Sequence, residues 1–294
     1  MTEEAAVHET TVETRVGPVR VRQTAATGGP VVLPVHGLLL DGRLWDGVVQ
    51  RLPGVRVVVP DLPLGAHRRA VPDRSRLTPE QLAGALVDVL DGVGAGTAVL
   101  VGNDTGGALA QLAAAAAPER VAGLVLAGCD AFEHFPPPLL RPLPRLVRLP
   151  GVPAAVLRVL AVPRLLADPG VLNLFTARGF GRPLVADLLH PARTDAAVLA
   201  DLAALVAQMR PGPLLAAMPA LGRLEVPAAV VWGRRDRVFP PRDAERLARL
   251  LRTEVTWLDD ALTFVPWDRP DAVAAAVRAV VGAVVGNATG NAVS

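Results

Sequence analysis

A glycine-rich turn at residues 102–106 constrains the fold of this chain more than any other feature. It reads Gly-Asn-Asp-Thr-Gly, after an apolar run at residues 97–101 and before an alanine-rich run that ends near Pro118. The first run predicts a buried strand and the second predicts a helix. A passage from strand to helix within so few residues is strained. Glycines are therefore expected on both sides of Asp104, where they permit a close approach of the backbone.

The same alternation of strand and helix continues along the chain. Short β-type runs lie at residues 31–35, 55–59, 121–127, 226–232 and 254–257. Helical runs lie at residues 44–52, 78–90, 241–251 and 270–285, and an antiparallel hairpin is expected at residues 11–22. Thr78 is the expected N-cap of the second helix, with Pro79 at its first position. This order predicts an α/β fold, in which helices cover a mostly parallel sheet.

Residues 130–220 form a different kind of segment. The segment has no strand pattern, and it begins with many prolines, which disfavour regular helix. A helix is expected at residues 194–209, with Thr194 as its N-cap. We therefore predict a core of residues 1–129 and 221–294, with a helical cap of residues 130–220 inserted into it. An apolar pocket is expected between the cap and the carboxyl edge of the sheet.

Composition excludes several classes of protein. Hydrophobic residues make up 51% of the chain, so a core forms and global disorder is excluded. The net charge is only +2, and the 30 basic residues are all arginine without a long basic run. We therefore expect no nucleic-acid partner. Cys129 is the one cysteine, which excludes an internal disulfide and a metal site built on several thiolates.

The ends of the chain predict its location. The first six residues include Glu3 and Glu4 and no basic residue, so they do not resemble a signal peptide. The most apolar stretch, residues 272–286, contains Arg278 and is shorter than the roughly 20 residues of a membrane span. We therefore expect a soluble cytoplasmic protein with no membrane partner.

A second turn makes the pattern recognisable. Pro-Val-His-Gly at residues 34–37 directly follows a predicted strand. Together with the turn at residues 102–106, this motif resembles the α/β-hydrolase family. Similar motifs stand at residues 59–63, 118–126 and 233–236. The resemblance covers most of residues 19–129 and 222–283, and it implies the α/β-hydrolase fold with a helical cap.

The resemblance also implies a site. Asp104 occupies the position of the family's nucleophile. The family's oxyanion hole implies the backbone N–H groups of Leu38 and Thr105 as anion donors. His36 is expected to brace that loop with its ring. Gly37, Asn103 and Thr263 complete the candidate site, and Asp236 matches the family's acid, with Asp130 as the alternative.

An aspartate at this turn resembles the haloalkane dehalogenase and epoxide hydrolase branch. In that branch the carboxylate attacks carbon, and a histidine-activated water hydrolyses the resulting ester. The five histidines here all precede Asp236: His8, His36, His67, His134 and His190. Thr263 aligns with the family's base, so His67 is the histidine to test as a substitute. The chain also lacks tyrosine, the ring-opening acid of the epoxide hydrolases, and Thr105 stands where dehalogenases carry a halide-binding tryptophan.

Three functions remain open from sequence. The first is an enzyme on a small hydrophobic molecule, assigned broadly to the hydrolases, with Asp104 as nucleophile or general base and with no metal or organic cofactor. The second is a non-hydrolytic enzyme in which Asp104 is the base of an elimination, decarboxylation or cyclisation. The third is a non-catalytic binder of a small molecule. The oligomeric state is not implied by the sequence.

Overall fold

The computed structural model describes residues 7–25, 29–155 and 175–291. Its strands are β1 (Val7–Thr14), β2 (Gly17–Thr24), β3 (Val31–Val35), β4 (Val58–Asp61), β5 (Ala98–Asp104), β6 (Val121–Cys129), β7 (Ala228–Gly233) and β8 (Val255–Leu258). They form a three-stranded sheet in the order β1-β2-β4 and a five-stranded parallel sheet in the order β3-β5-β6-β7-β8. A parallel bridge between Val32 and Val57 joins the two sheets.

The helices are α1 (Asp46–Val49), α2 (Pro79–Gly92), α3 (Thr105–Ala116), α4 (Leu143–Leu146), α5 (Arg182–Thr194), α6 (Ala196–Gln208), α7 (Pro211–Gly222), α8 (Pro241–Leu250), α9 (Val265–Asp268) and α10 (Pro270–Asn291). Helix α3 packs against α2 and α7. Helix α1 packs against α10. This is the α/β-hydrolase fold that the sequence predicts.

Both faces of the parallel sheet are buried. Neighbouring residues of a strand belong to different apolar clusters: Leu100 lies in one, and Val99 and Val101 lie in the other. In β7, Val230 and Val231 divide in the same way. Side chains alternate across a strand, so a sheet covered on both faces needs an unbroken apolar run. The long apolar runs of the sequence therefore follow from the layered architecture.

Most predicted elements are confirmed within a few residues, but one strand is displaced. The run predicted at residues 55–59 becomes β4 at Val58–Asp61. Val57 and Arg56 instead meet β3, where the Val32 N–H donates to the Arg56 carbonyl at 2.9 Å. From Val58 onward the chain pairs antiparallel with β2. Because the Thr24 N–H also donates to the Val57 carbonyl at 3.0 Å and β4 packs against β3 as well, this segment lies between β2 and β3, which its sequence does not show.

The helix boundary predicted at Thr194 is wrong. Thr194 ends α5, and its hydroxyl donates to the His190 carbonyl at 2.8 Å. Asp195 is the N-cap of α6, and its carboxylate accepts from the Ala197 N–H at 2.8 Å. A threonine hydroxyl inside a helix can bond to the carbonyl four residues earlier, so the adjacent aspartate caps the next helix.

The predicted cap contains α4, α5 and α6 in its described part. Asp201 of α6 is buried and ties this segment to the loop after β4, because it accepts from the Val71 N–H at 2.8 Å and from Arg74 at 2.7 Å. Helix α7 crosses the predicted boundary at residue 220 and packs against α3. The division at residues 130 and 220 stays a prediction. The apolar pocket between cap and sheet also stays a prediction, because residues 156–174 of the cap lie outside the described residues.

Helix α10 is the one described helix that is long and apolar enough to cross a membrane by length and composition. Its inner face buries Val273, Ala274, Val277 and Val280. The helix packs against β6 and β7. It therefore serves here as a covering layer of the sheet.

Candidate active site

The turn at Asp104 is as tight as the sequence predicts. Asp104 ends β5 and directly precedes α3, with φ 54° and ψ −133°. A Cβ on Gly106 would lie 2.1 Å from the Val35 carbonyl oxygen, and one on Gly102 would lie 2.4 Å from the Gly107 Cα. Both contacts are with backbone, which cannot move aside as a side chain can. The two glycines therefore allow β5, α3 and the end of β3 to approach one another.

The loop after β3 reaches the Asp104 carboxylate. The Leu38 N–H donates to Asp104 Oδ2 at 3.0 Å. The Thr105 N–H also stabilises this carboxylate and lowers its pKa. A Cβ on Gly37 would lie 2.0 Å from Asp104 Oδ2, so only glycine fits there. The structure thus brings the two expected anion donors to one carboxylate.

His36 has a bracing role in this loop. Its ring is fully buried, and its Nε2 accepts from the Leu62 N–H at 3.0 Å. Its Nδ1 lies 2.9 Å from the Gly37 carbonyl, to which it donates in the neutral tautomer that this arrangement requires. Burial lowers the pKa of His36, which favours the same neutral form. His36 therefore holds the loop after β3, which carries the Leu38 N–H, against the loop after β4. We call the loop after β3 the anion-donor loop, because its N–H binds the Asp104 carboxylate.

Asp236 and Thr263 form the second part of the site. Asp236 Oδ1 accepts from the Thr263 hydroxyl at 2.8 Å, and also from the N–H groups of Val238 at 2.7 Å and Phe239 at 3.1 Å. The other carboxylate oxygen, Oδ2, is buried without a hydrogen-bond partner among the described residues. Thr263 is thus held by Asp236, and its hydroxyl is the donor in this contact.

Asn103 fixes the segments on either side of this pair. Its side-chain amide donates to the carbonyls of Ala127 at 2.5 Å, Gly128 at 2.9 Å and Thr263 at 2.8 Å. The residue is fully buried. These contacts place it behind the site, where it connects β5 to β6 and to the Thr263 segment.

Asp130 lies on the other side of the turn. It is fully buried, and its Oδ2 lies 3.3 Å from the Thr105 hydroxyl. Its Oδ1 has no hydrogen-bond partner in the described part of the chain. Gln111 of α3 donates to the Asp130 carbonyl at 2.8 Å and so fixes its backbone. Asp130 therefore contacts the residue next to Asp104, whereas Asp236 contacts Thr263.

The electrostatics of the site follow from burying these carboxyls without a cationic partner. Burial, the largest cause, and the charge of Asp236 raise the pKa of Asp104 to about 7, and two backbone N–H groups oppose this rise. Burial likewise raises the pKa of Asp236 to about 6. Burial and the neighbouring Asp104 raise the pKa of Asp130 well above its ordinary value. At neutral pH, Asp104 is therefore divided between acid and carboxylate.

His67 lies in a separate network. Its Nδ1 accepts from the Gly65 N–H at 3.2 Å, and its Nε2 lies 3.4 Å from Asp201 of α6. Burial lowers the pKa of His67. Both ring nitrogens thus have partners other than Asp104. A role for His67 as the base stays a prediction, and these contacts favour a structural role.

Sequence reasoning missed two buried clusters of polar residues. Asp268 accepts from the Thr176 hydroxyl at 2.5 Å and from the Leu262 N–H at 2.9 Å, which ties the predicted cap to the segment that carries Thr263. In the other cluster, Glu133, His134 and Asp243 could hold a metal ion by proximity alone, with ligand atoms within 4.8 Å. Arg246 already pairs with Glu133 there at 2.7 Å. In each cluster at least one contact joins residues about 90 or more positions apart, Thr176 with Asp268 and Glu133 with Arg246, so no local motif records it.

Comparison with known proteins shows the family of this chain. Residues 32–276 match the Alpha/beta hydrolase family. The chain belongs to this family. Haloalkane dehalogenase 2 of Mycobacterium tuberculosis is 30% identical over 263 residues, which cover 85% of this chain and 87% of that protein. A 2-hydroxy-6-oxo-6-phenylhexa-2,4-dienoate hydrolase of Burkholderia cepacia is 28% identical, over 75% of this chain and 76% of that protein.

Other similarities are shorter or concern the fold alone. The lipase LipV of Mycobacterium tuberculosis is 39% identical over 108 residues, 37% of this chain and 40% of the lipase. The structure of a haloalkane dehalogenase from Bradyrhizobium elkani has a TM-score of 0.79 at 21% identity, covering 97% of this chain and all of that one. The curated relatives of this α/β-hydrolase chain are thus hydrolases of several kinds.

The close approach at Gly106 leads to a first prediction. Gly106→Ala places a methyl group against the backbone of β3, and we expect it to lower the free energy of unfolding by about 1–3 kcal/mol, as overpacking does. Gly96→Ala is the matched control, because nothing lies within 4 Å of a Cβ there. Thermal unfolding of both variants measures the difference. Equal melting temperatures would show that the turn is not closely packed.

The raised pKa of Asp104 leads to a second prediction. The folded protein holds a proton up to about pH 7, whereas the unfolded chain releases it near the ordinary value of 3.8. This contribution to stability is therefore complete below that value and is lost as the pH rises to about 7. Asp104→Asn keeps an acceptor for Leu38 without the charge. We expect it to be more stable than the wild type at pH 8, by up to about 4 kcal/mol, and equally stable at pH 4.

Thermal unfolding of wild type and Asp104→Asn between pH 4 and pH 8 measures this difference. Asp259→Asn is the control, because Asp259 is an exposed partner of Arg234 and should give no pH-dependent gain. An Asp104→Asn variant whose stability relative to the wild type does not increase between pH 4 and pH 8 would contradict the raised pKa.

Proposed function

We propose that this chain is an enzyme of the α/β-hydrolase family in which Asp104 is the reacting group on a small hydrophobic substrate. The observation that carries the proposal is the position of its carboxylate. It is held at a strained strand-to-helix turn, and one oxygen is bound to the Leu38 N–H at 3.0 Å. The similarity to haloalkane dehalogenase 2 over most of both chains supports a reaction at carbon.

We infer different tasks for the two oxygens of the Asp104 carboxylate. Asp104 Oδ2 stays on the Leu38 N–H, so Oδ1 is the oxygen that attacks. In a displacement, its electron pair forms a C–O bond to a saturated carbon while the bond to the leaving group breaks. The leaving group departs with that electron pair, and the product is an ester of Asp104. The N–H groups of Leu38 and Thr105 then face the ester carbonyl oxygen, where they stabilise an oxyanion if water adds.

The second step lacks its usual base. Hydrolysis of the ester requires a group that takes a proton from water, and Thr263 is the side chain that Asp236 holds. A threonine hydroxyl is a poor base at neutral pH. General-base catalysis contributes about 10²–10⁴ in rate. We therefore expect the ester of Asp104 to form faster than it is hydrolysed.

A second candidate function has support from the pKa of Asp104. A carboxyl group with a pKa of about 7 is well matched to accept a proton near neutral pH. Asp104 would then take a proton from carbon in an elimination or a ring closure. The electron pair of the broken C–H bond would form the new C=C or ring bond, and a leaving group on the substrate would depart with its own electron pair. Asp104 would pass the proton to water afterwards. This reaction needs no histidine and forms no covalent adduct.

Intact-protein mass spectrometry separates these candidates. After incubation with haloalkanes or epoxides, we expect the wild type to gain the mass of the substrate without its leaving group, or of the whole epoxide. Fragmentation should place this mass on Asp104. Asp104→Asn should gain none, and Asp259→Asn, which alters an exposed side chain, should react like the wild type.

Each other result has a definite meaning. If the wild type turns over the substrate without forming an adduct, and Asp104→Asn does not turn it over, Asp104 is assigned as a general base. Binding of small hydrophobic molecules without turnover identifies a binder. Turnover or an adduct that persists in Asp104→Asn excludes Asp104 as the reacting group.

The position of Thr263 gives a further test. Thr263→His places an imidazole beside Asp236, so we expect the ester of Asp104 to decay at least about 100-fold faster than in the wild type. Thr263→Val is the matched control, because it removes the hydroxyl without adding a base. The decay of the adduct after removal of substrate measures the rate. A folded Thr263→His protein whose adduct is as long-lived as that of Thr263→Val would contradict the assigned position.

A further inference from the structure

Three large apolar side chains are exposed near the start of the predicted cap. Leu139, Leu146 and Leu149 expose 67%, 43% and 53% of their surface. They lie within eleven consecutive residues, around the short helix α4. Exposed leucines that stand singly are ordinary on protein surfaces, but a group of them indicates contact with another molecule.

Arginines alternate with these leucines. Arg141, Arg145 and Arg148 are all exposed, and none of them pairs with a carboxylate in the part of the chain that the structure describes. Arg148 donates to the Ala207 carbonyl at 2.9 Å, which fixes the segment against α6. Residues 135–155 contain no acidic residue. The positive charge of this segment is therefore not neutralised locally, in a protein whose net charge is only +2.

We infer that this surface binds the interface of an anionic phospholipid membrane. We call it the Leu/Arg surface, and it consists of Leu139, Leu146, Leu149, Arg141, Arg145 and Arg148. Leucine side chains gain by entering the boundary between headgroups and acyl chains. Arginine side chains remain at the level of the phosphates, to which they donate charge-assisted hydrogen bonds. The surface joins both requirements within one short segment.

The arrangement favours a lipid surface over a folded protein partner. Prolines at positions 142, 144 and 150 interrupt the segment, and α4 spans only four residues. A regular apolar stripe of the kind that docks into a groove is thus absent from residues 138–150. Apolar and cationic groups that alternate without regular spacing suit a fluid interface, because lipids adjust to the shape of the protein. This is binding at the membrane surface without a membrane span, so it departs from the expectation of no membrane partner drawn from the sequence.

The inference is independent of the chemistry assigned to Asp104. The six residues of the Leu/Arg surface belong to neither the turn nor the anion-donor loop. Loss of membrane binding therefore leaves the proposed reaction intact, and a protein inactive through Asp104→Asn is expected to bind vesicles normally.

Co-sedimentation of the full chain with vesicles tests this surface. The vesicles contain phosphatidylcholine alone or with about one third phosphatidylglycerol. We expect the wild type to sediment with the anionic vesicles and to be released by high salt. The triple variant Arg141→Gln, Arg145→Gln, Arg148→Gln should bind at least about tenfold more weakly, since each basic residue near an anionic surface adds to binding. The triple variant Leu139→Ser, Leu146→Ser, Leu149→Ser should also bind more weakly.

Matched variants control for net charge and for exposed apolar residues in general. Arg69→Gln, Arg223→Gln and Arg249→Gln together remove the same charge from exposed arginines elsewhere. Leu215→Ser removes an exposed leucine of α7. Both should bind like the wild type. Equal weakening by the charge control, equal binding to neutral vesicles, or a wild type that stays in the supernatant would overturn the inference. A dimer in sedimentation velocity that the Leu/Arg substitutions abolish would instead identify a second copy as the occupant.

Discussion

The approach of three backbone segments at one turn is the constraint on which the rest of this structure depends. Gly106 brings the start of α3 against the end of β3, and Gly37 brings the following loop against Asp104. A Cβ at residue 106 would overlap the backbone of β3, and a Cβ at residue 37 would overlap the Asp104 carboxylate. Because the segments meet this closely, the Leu38 N–H reaches Asp104. The parallel sheet is the frame that holds these ends in register, since Val35 pairs with Gly102.

The same packing determines the charge state of the site. Carboxyl groups removed from water are stabilised as anions only where donors or cations replace the water. Asp104 has two backbone N–H donors, and Asp236 has two such donors and the Thr263 hydroxyl. These donors are not enough to offset burial, so the pKa values of both groups stay raised. Thr263, which donates its hydroxyl to Asp236, carries no positive charge that could stabilise these anions. The proposed chemistry of Asp104 therefore divides into a displacement that needs only the anion and a hydrolysis that lacks its base.

The predicted cap is tied to the core by hydrogen bonds of two buried aspartates. Asp268 joins Thr176 to the segment that contains Thr263, and Asp201 joins α6 to the loop that contains His67. Both carboxylates are buried and fully used by hydrogen bonds within the fold. The Leu/Arg surface lies near the start of the predicted cap in sequence.

The sequence by itself determined the layered fold and the turn at Asp104, because both depend on local patterns. Apolar runs of strand length, glycines at fixed spacing and an N-cap such as Thr78 act within a few residues. The tertiary structure alone decided which partners the polar side chains have. It paired His67 with Asp201, Asp130 with Thr105, and Thr263 with Asp236. Such pairs join residues that are distant in sequence, so no local pattern records them. Their geometry is determined only when the helices and strands pack.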